Sequence, residues 1–330
     1  MKKAILAKKV LASVLAIGLG GFVLPLAAQA TSGLSDEPQD VTGLSDKYYI
    51  GTNGAADNVV IIDRDLSNEK WSNVIGGYAE TDNAANNRIT ISSGKFKGIF
   101  YGGYAASGNA TDNVVNISGG EINGTINGGH ALGANKEVKN NHVNITGGVI
   151  RSLKIDVAPG ILVPAGGIYG GRADGENSIV QGNSVNISGK ALLNDFCEMG
   201  FIGGGYASGE NSQVTDNSVN ISGGTINNSS ISGGYAGIGT AENNSVTVSG
   251  GTINNSNISG GHAKTGTVEN NSVTVSGGMV KGEVYGGCIE DESDATITGN
   301  SITLSGMADV SEAAPVSYTH LRAHETVLDL

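Results

Sequence analysis

The chain has little of what most enzymes and membrane-spanning proteins are built from. Of its 330 residues, 15% are charged and 5% aromatic, with two cysteines and one tryptophan. Beyond residue 30 no apolar run is long enough to cross a membrane as a helix. Between Thr31 and Ala314 there are 14 basic and 29 acidic residues, a net of −15. No basic patch with interleaved aromatics occurs, which excludes a nucleic-acid reading. Arginine stands at four places in that region, Arg64, Arg88, Arg151 and Arg172. That is too sparse for the clustered acids and bases of a polysaccharide lyase or glycosidase. No apolar stripe of period 3.6 is present, so a helical solenoid is excluded too. The histidines lack metal-ligand spacing, and the glycine-aspartate nonapeptide of calcium-binding β-rolls is missing. No catalytic, cofactor-binding or metal-ligating residue is assigned.

What the chain does have is export and repetition. Residues 1–30 read as a signal peptide: basic at Lys2, Lys3, Lys8 and Lys9, apolar from Val10 to Leu26, then Ala28-Gln29-Ala30 with small residues at the two positions that precede cleavage. Residues 31–57, with a doubled GLSD at Gly33 and Gly43, read as an N-terminal cap or linker. From 58 to 306 a unit returns about every 27 residues. It opens N-[SVH]-V-[NT]-[IV]-S-G-G and reaches a second glycine pair, G-G-[YH]-A, as in NSVNISGGTINNSSISGGYA from Asn217. The opening asparagines are Asn58, Asn87, Asn113, Asn141, Asn183, Asn217, Asn244, Asn271 and Asn300, spaced 29, 26, 28, 42, 34, 27, 27 and 29 residues apart. The glycine pairs keep the same phase, from Gly76-Gly77 to Gly286-Gly287. Such a unit cannot bury its apolar face alone and must stack on its neighbours.

Within the unit from Asn217, Val219 and Ile221 alternate with polar residues, giving a period-2 strand with one apolar face. Gly223-Gly224 breaks it, Ile226 and Ile231 mark a second side, Gly233-Gly234 is read as a second corner, and Tyr235 to Glu242 as a third, more polar side. The expected fold is all-β, a parallel β-helix of about nine coils with side chains in rows along the axis. The inward row is Ile89, Val115, Val143, Val185, Val219, Val246, Val273 and Ile302, and the opening asparagines form a structural ladder. Asp57, Asp112, Asp216, Glu242 and Glu269 are expected as an acidic row on one corner, solvated rather than calcium-binding. Tyr78, Tyr104, Tyr206 and Tyr235, with His130 and His262, share the slot after the glycine pair and are read as corner packing before a platform for sugar faces. Cys288 fills the same slot. Cys197 sits three coils away, about 14 Å at ~4.8 Å per coil, beyond the ~7 Å that a disulfide spans, so both are read as unpaired.

Two units carry insertions, at 151–168 and 190–202, and loops projecting from a rigid solenoid are where a partner is expected. The repeat stops after Gly306. Residues 307–314 read as a truncated end, and 315–330 (PVSYTHLRAHETVLDL) resemble the conceptual translation of a transposase-based sequencing adapter, so the gene is expected to continue past Ala314.

The pattern N-x-V-x-[IV]-S-G-G … G-G-[YH]-A resembles the repeat region of bacterial autotransporter adhesins, over Asn58 to Gly306. That resemblance implies a β-helical passenger at the cell surface or outside the cell. It would be non-enzymatic, would be held by a C-terminal outer-membrane β-barrel, and would contact glycans or proteins of host or bacterial cells. The competing expectations are a secreted carbohydrate-active β-helix enzyme and a surface scaffold without a receptor.

Overall fold

A computed structural model describes residues 34–35, 49–62, 73–158, 161–164, 166–196, 200–291 and 295–311. The segment read as a signal peptide, Cys197 and the tail at 315–330 lie outside the described residues. The chain is a β-solenoid: every strand but two belongs to one sheet system of parallel pairings, and no helix occurs among the described residues. Each repeat is one coil. Ser218 pairs with Ser245 and Ser245 with Ser272, place for place. The nine asparagines bound about eight turns. Stacking starts before Asn58, since Tyr49–Ile50 already pairs with Val74–Ile75, and reaches Asp309, which bridges Met279.

The inward row lands as its period requires. From Ile89 to Val273 every member is fully buried, and Ile302 in the last coil is half-buried. One coil gives Val219, Ile221, Ile226 and Ile231 to the main core, each burial worth ~1.5–3 kcal/mol. A second, smaller core runs beside it, built from Ala236 and Ala241 and their equivalents Ala207, Val214, Ala263 and Val268. The coil is therefore not a simple triangle but a main turn with a side lobe.

The neck between the two cores explains the second glycine pair. Gly233-Gly234 is not a corner: the strand Ser230–Glu242 runs straight through it. A Cβ on Gly233 would lie 2.3 Å from the carbonyl oxygen of Gly260, and one on Gly234 would lie 2.4 Å from the Asn244 carboxamide. The pair is glycine because the next coil and the asparagine approach too closely for any side chain.

The corners lie elsewhere. The residue just before every opening asparagine (Asp57, Asn86, Asp112, Asn140, Gly182, Asp216, Asn243, Asn270, Gly299) has φ between 54° and 66°. Among L-residues, Asn and Asp tolerate that left-handed conformation best. This corrects the acidic row. Asp57, Asp112 and Asp216 share their column with asparagines and glycines, whereas Glu242 and Glu269 stand one position earlier, paired with Thr215 and Thr298. The carboxylates recur because the turn accepts aspartate, and they form no continuous line. Asp216→Asn or Asp216→Gly therefore leaves stability within ~0.5 kcal/mol, and Asp216→Val lowers it by about 1–2 kcal/mol. Urea unfolding with and without a calcium chelator checks this: equal losses for all three, or a chelator effect, would contradict it.

The asparagine ladder closes the neck. From Asn58 to Asn271 the side chains are fully buried. Each Nδ2 donates to the Oδ1 of the next asparagine, eight links of 2.8–3.0 Å in all. Asn217 also donates its backbone N–H to Asn244 Oδ1 (3.0 Å) and its Nδ2 to the carbonyls of Val180 and Thr215 (2.9 Å each). Its polar atoms are thus paired inside the protein, as burial demands.

Candidate functional site

Parallel stacking in register turns each repeat position into a column along the axis, so two columns flanking the glycine pairs come to lie side by side. The column after the pair reads Tyr78, Tyr104, His130, Arg172, Tyr206, Tyr235, His262, Cys288. Its rings spend their faces on one another. Tyr206 and Tyr235 stack at 5.3 Å with an 8° interplanar angle, and His262 meets Tyr235 edge-on at 5.0 Å. The packing role expected for this slot fits that geometry, while the faces needed for a sugar platform are already covered. Arg172 is a member that the sequence pattern did not reveal: its guanidinium carbon lies 5.2 Å from the Tyr206 ring centre, an in-line substitute for a ring.

The column before the pair reads Ile75, Tyr101, Asn127, Tyr169, Gly203, Ser232, Ser259, Tyr285. Ile75, Tyr101, Asn127 and Tyr169 fill it at one end and Tyr285 at the other, with the small residues Gly203, Ser232 and Ser259 between. A groove of about 410 Å³ opens there. Ser232 and Ser259 form its floor, Tyr235 and His262 one wall, and Tyr285 and Glu290 one end. Phe201 closes the other end, 5.2 Å from the rings of both Tyr169 and Tyr235. Its ring lies over Gly203, where a Cβ would stand 2.5 Å away.

Phe201 comes from the insertion at 190–202, which is otherwise less of a loop than expected. Leu192–Asn194 pairs in register with Val149–Arg151, and Leu193, Phe196 and Ile202 are core residues. The extra residues concentrate just before Phe201. The insertion at 151–168 is a true excursion: Lys154–Ala158 and Ile161–Pro164 form the only antiparallel hairpin among the described residues. Its base is pinned by Ser152 Oγ, which donates to Gly166 O (3.1 Å) and accepts from Gly166 N (2.8 Å).

Electrostatics split the site in two. In the buried part, His130 Nε2 lies 2.9 Å from Asp174 Oδ2, and Arg172 Nε donates to Asp174 Oδ1 at 2.9 Å. Burial works to raise the Asp174 carboxyl, but the His130 hydrogen bond and the Arg172 guanidinium outweigh it and hold it below the usual carboxylate range. Burial pushes the Tyr169 phenol up to about 12. Asn127 is wholly buried and its amide finds no hydrogen-bond partner. In the open part, His262 Nε2 lies 3.2 Å from Glu290 Oε1, and the Tyr285 hydroxyl donates to Glu283. No group of three metal-ligating side chains gathers among the described residues.

Burial also pushes His130, His142 and His262 below their usual value of 6.5. The unfolded chain then takes up protons first as the solution is acidified. Stability is therefore full above about pH 6.5 and falls as pH drops toward the folded-state values. A urea midpoint that is level from about pH 9 to 7 and lower at about pH 5.5 is expected; a midpoint that rises on acidification contradicts these assignments.

No family model, no curated protein and no solved structure matches the chain.

Proposed function

We propose that the chain is the surface-exposed passenger of an autotransporter-type adhesin. It is exported through its leader, held at the outer membrane by a β-barrel encoded further along its gene, and touches glycans or proteins of other cells without chemical turnover. The observation that carries this reading is the unbroken register of about eight turns, stitched by a buried amide ladder. A passenger outside the cell must be a stiff rod, and parallel coils repeat one surface along its length. In the titratable cluster His130–Arg172–Asp174 the carboxylate is engaged by both neighbours, as in a structural network.

The test fuses the chain to the outer-membrane β-barrel of another autotransporter, displays it on a non-adherent Gram-negative host and counts attached epithelial cells and self-aggregates. Attachment at least tenfold above an empty-vector host is the expected result. Release of soluble oligosaccharide from polysaccharide substrates without attachment would overturn the reading in favour of the enzyme, and aggregation without attachment would favour the scaffold.

A further inference from the structure

We propose that the groove between Phe201 and Tyr285 is a binding site for a neutral oligosaccharide, whose sugar rings occupy the two places where the column before the glycine pair lacks large side chains. The inference rests on the adhesin reading and names the ligand of this one site.

The site is a gap in a stack. In that column Tyr101 and Tyr169 fill their coils, Phe201 swings over Gly203, and Tyr285 resumes the filling. Only Ser232 and Ser259 leave their coils open, and they are adjacent, so the opening is two coil rises long, about 10 Å. Its volume of about 410 Å³ falls in the range of small-ligand pockets. A ring-shaped guest would continue the stack between two aromatic ends.

Polar groups at the gap favour a polyhydroxylated guest. Ser259 and Ser232, 7% and 4% exposed, present hydroxyls from the floor; the latter donates to Gly234 O at 2.9 Å and keeps its lone pairs. The wall adds the Tyr235 phenol and the His262 imidazole, and Glu290 stands exposed at the rim. Burial keeps the Tyr235 phenol protonated, its pKa raised, so it remains a donor. The charge selects further. No lysine or arginine lines the groove, Glu290 does, and the chain carries a net charge of −12, which repels sialylated, sulfated or uronic chains. An extended peptide would look for free backbone groups, but the two strands that carry the floor serines are paired on both sides.

The test uses the fluorescently labelled full chain on an array of immobilised neutral, sialylated and sulfated oligosaccharides, beside two variants. Ser259→Tyr plugs the gap with the side chain that its column carries at Tyr101, Tyr169 and Tyr285, so the coil has a template for it. Ile238→Ser, on the exposed lobe 42% open to solvent, is the control. Retention of neutral oligosaccharides, a loss of at least tenfold for Ser259→Tyr at unchanged melting temperature, and no change for Ile238→Ser are expected. Retention of anionic chains or peptides only, no retention at all, or neutral binding that survives Ser259→Tyr overturns the assignment. Should Ser259→Tyr not fold, competition between free neutral disaccharide and a groove label attached at Cys288 decides: a label displaced by the sugar supports the site, and an undisturbed one overturns it. The cell-attachment assay separates the two levels, since cells held without neutral-sugar binding refute the ligand and leave the adhesin reading standing.

Discussion

Asn217→Leu lowers the stability of the solenoid by about 3–5 kcal/mol, more than any single aliphatic truncation in the same coil is expected to cost on the loss of its methyl groups alone. The reason is the number of buried groups that one amide serves. Asn217 Oδ1 accepts from both the backbone N–H and the Nδ2 of Asn183, each at 2.9 Å, while its own Nδ2 reaches Val180 O, Thr215 O and Asn244 Oδ1. Leucine has a similar volume but no polar atom, so the Asn183 N–H and the Val180 carbonyl lose this partner where water cannot replace it. Each orphaned buried group costs about 1–3 kcal/mol. The control is Asn220→Leu. Asn220 also belongs to an asparagine ladder, with Nδ2 2.9 Å from Asn186 Oδ1, but that ladder is half-buried and water can take over. Its loss is held to about 1 kcal/mol. Because coils contact only their neighbours, the damage stays local. Hydrogen exchange quickens between Asn183 and Asn244 and stays slow around Asn87 and Asn113. Equal effects of the two substitutions in urea unfolding would show that the buried ladder is not what holds the neck.

Gly233→Ala has an effect of the same size for a different reason. The added methyl would stand 2.3 Å from the Gly260 carbonyl oxygen and 2.5 Å from the Ser245 amide nitrogen, both main-chain atoms fixed in the ladder. Neither can swing aside, so the coils must separate locally, and a loss of at least ~3 kcal/mol or of soluble protein is expected. Gly54→Ala is the comparison. Gly54 has φ +74° but nothing within 4 Å of its would-be Cβ, so only the conformational cost of about 1–2 kcal/mol applies. Thermal unfolding of the two variants side by side tests the distinction; a milder Gly233→Ala would return that glycine pair to the role of an ordinary turn.

Those two glycines also show where sequence reasoning runs out. The inward row and the ladder were legible, because alternation of period 2 and a fixed repeat leave a buried side chain at Val219 and Ile221 little freedom to face elsewhere. Gly233-Gly234 reads as a corner in the sequence, because a turn and a close approach ask for the same residue. Asp57, Asp112 and Asp216 were grouped with Glu242 and Glu269 by charge, when what unites them with Asn86, Asn140 and Gly182 is positive φ. The side lobe escaped notice because alanine pairs such as Ala236 and Ala241 carry too little hydrophobic signal to mark a second core. Arg172 hid in the ring column because that slot varies in chemistry while keeping its place. The groove was illegible for a related reason: it is the absence of a ring at Ser232 and Ser259. Aligning the residue before each glycine pair, from Ile75 to Tyr285, would have exposed the gap.

The ladder, the neck and the groove all depend on one repeat making one coil, so that equal places form columns. Cysteine pairs test this most directly, introduced in a background with both native cysteines replaced by serine. Ser245 and Ser272 hold the same place in adjacent coils and pair across the ladder, about 4.8 Å apart and within disulfide reach. Ser218 and Ser272 hold that place two coils apart, about 10 Å, beyond reach. Under mild oxidation the first pair should cross-link nearly completely within the folded monomer and the second should not. Cross-linking of the distant pair, or failure of the adjacent one with the chain folded, would contradict the stacking from which the ladder, the neck and the groove are all derived.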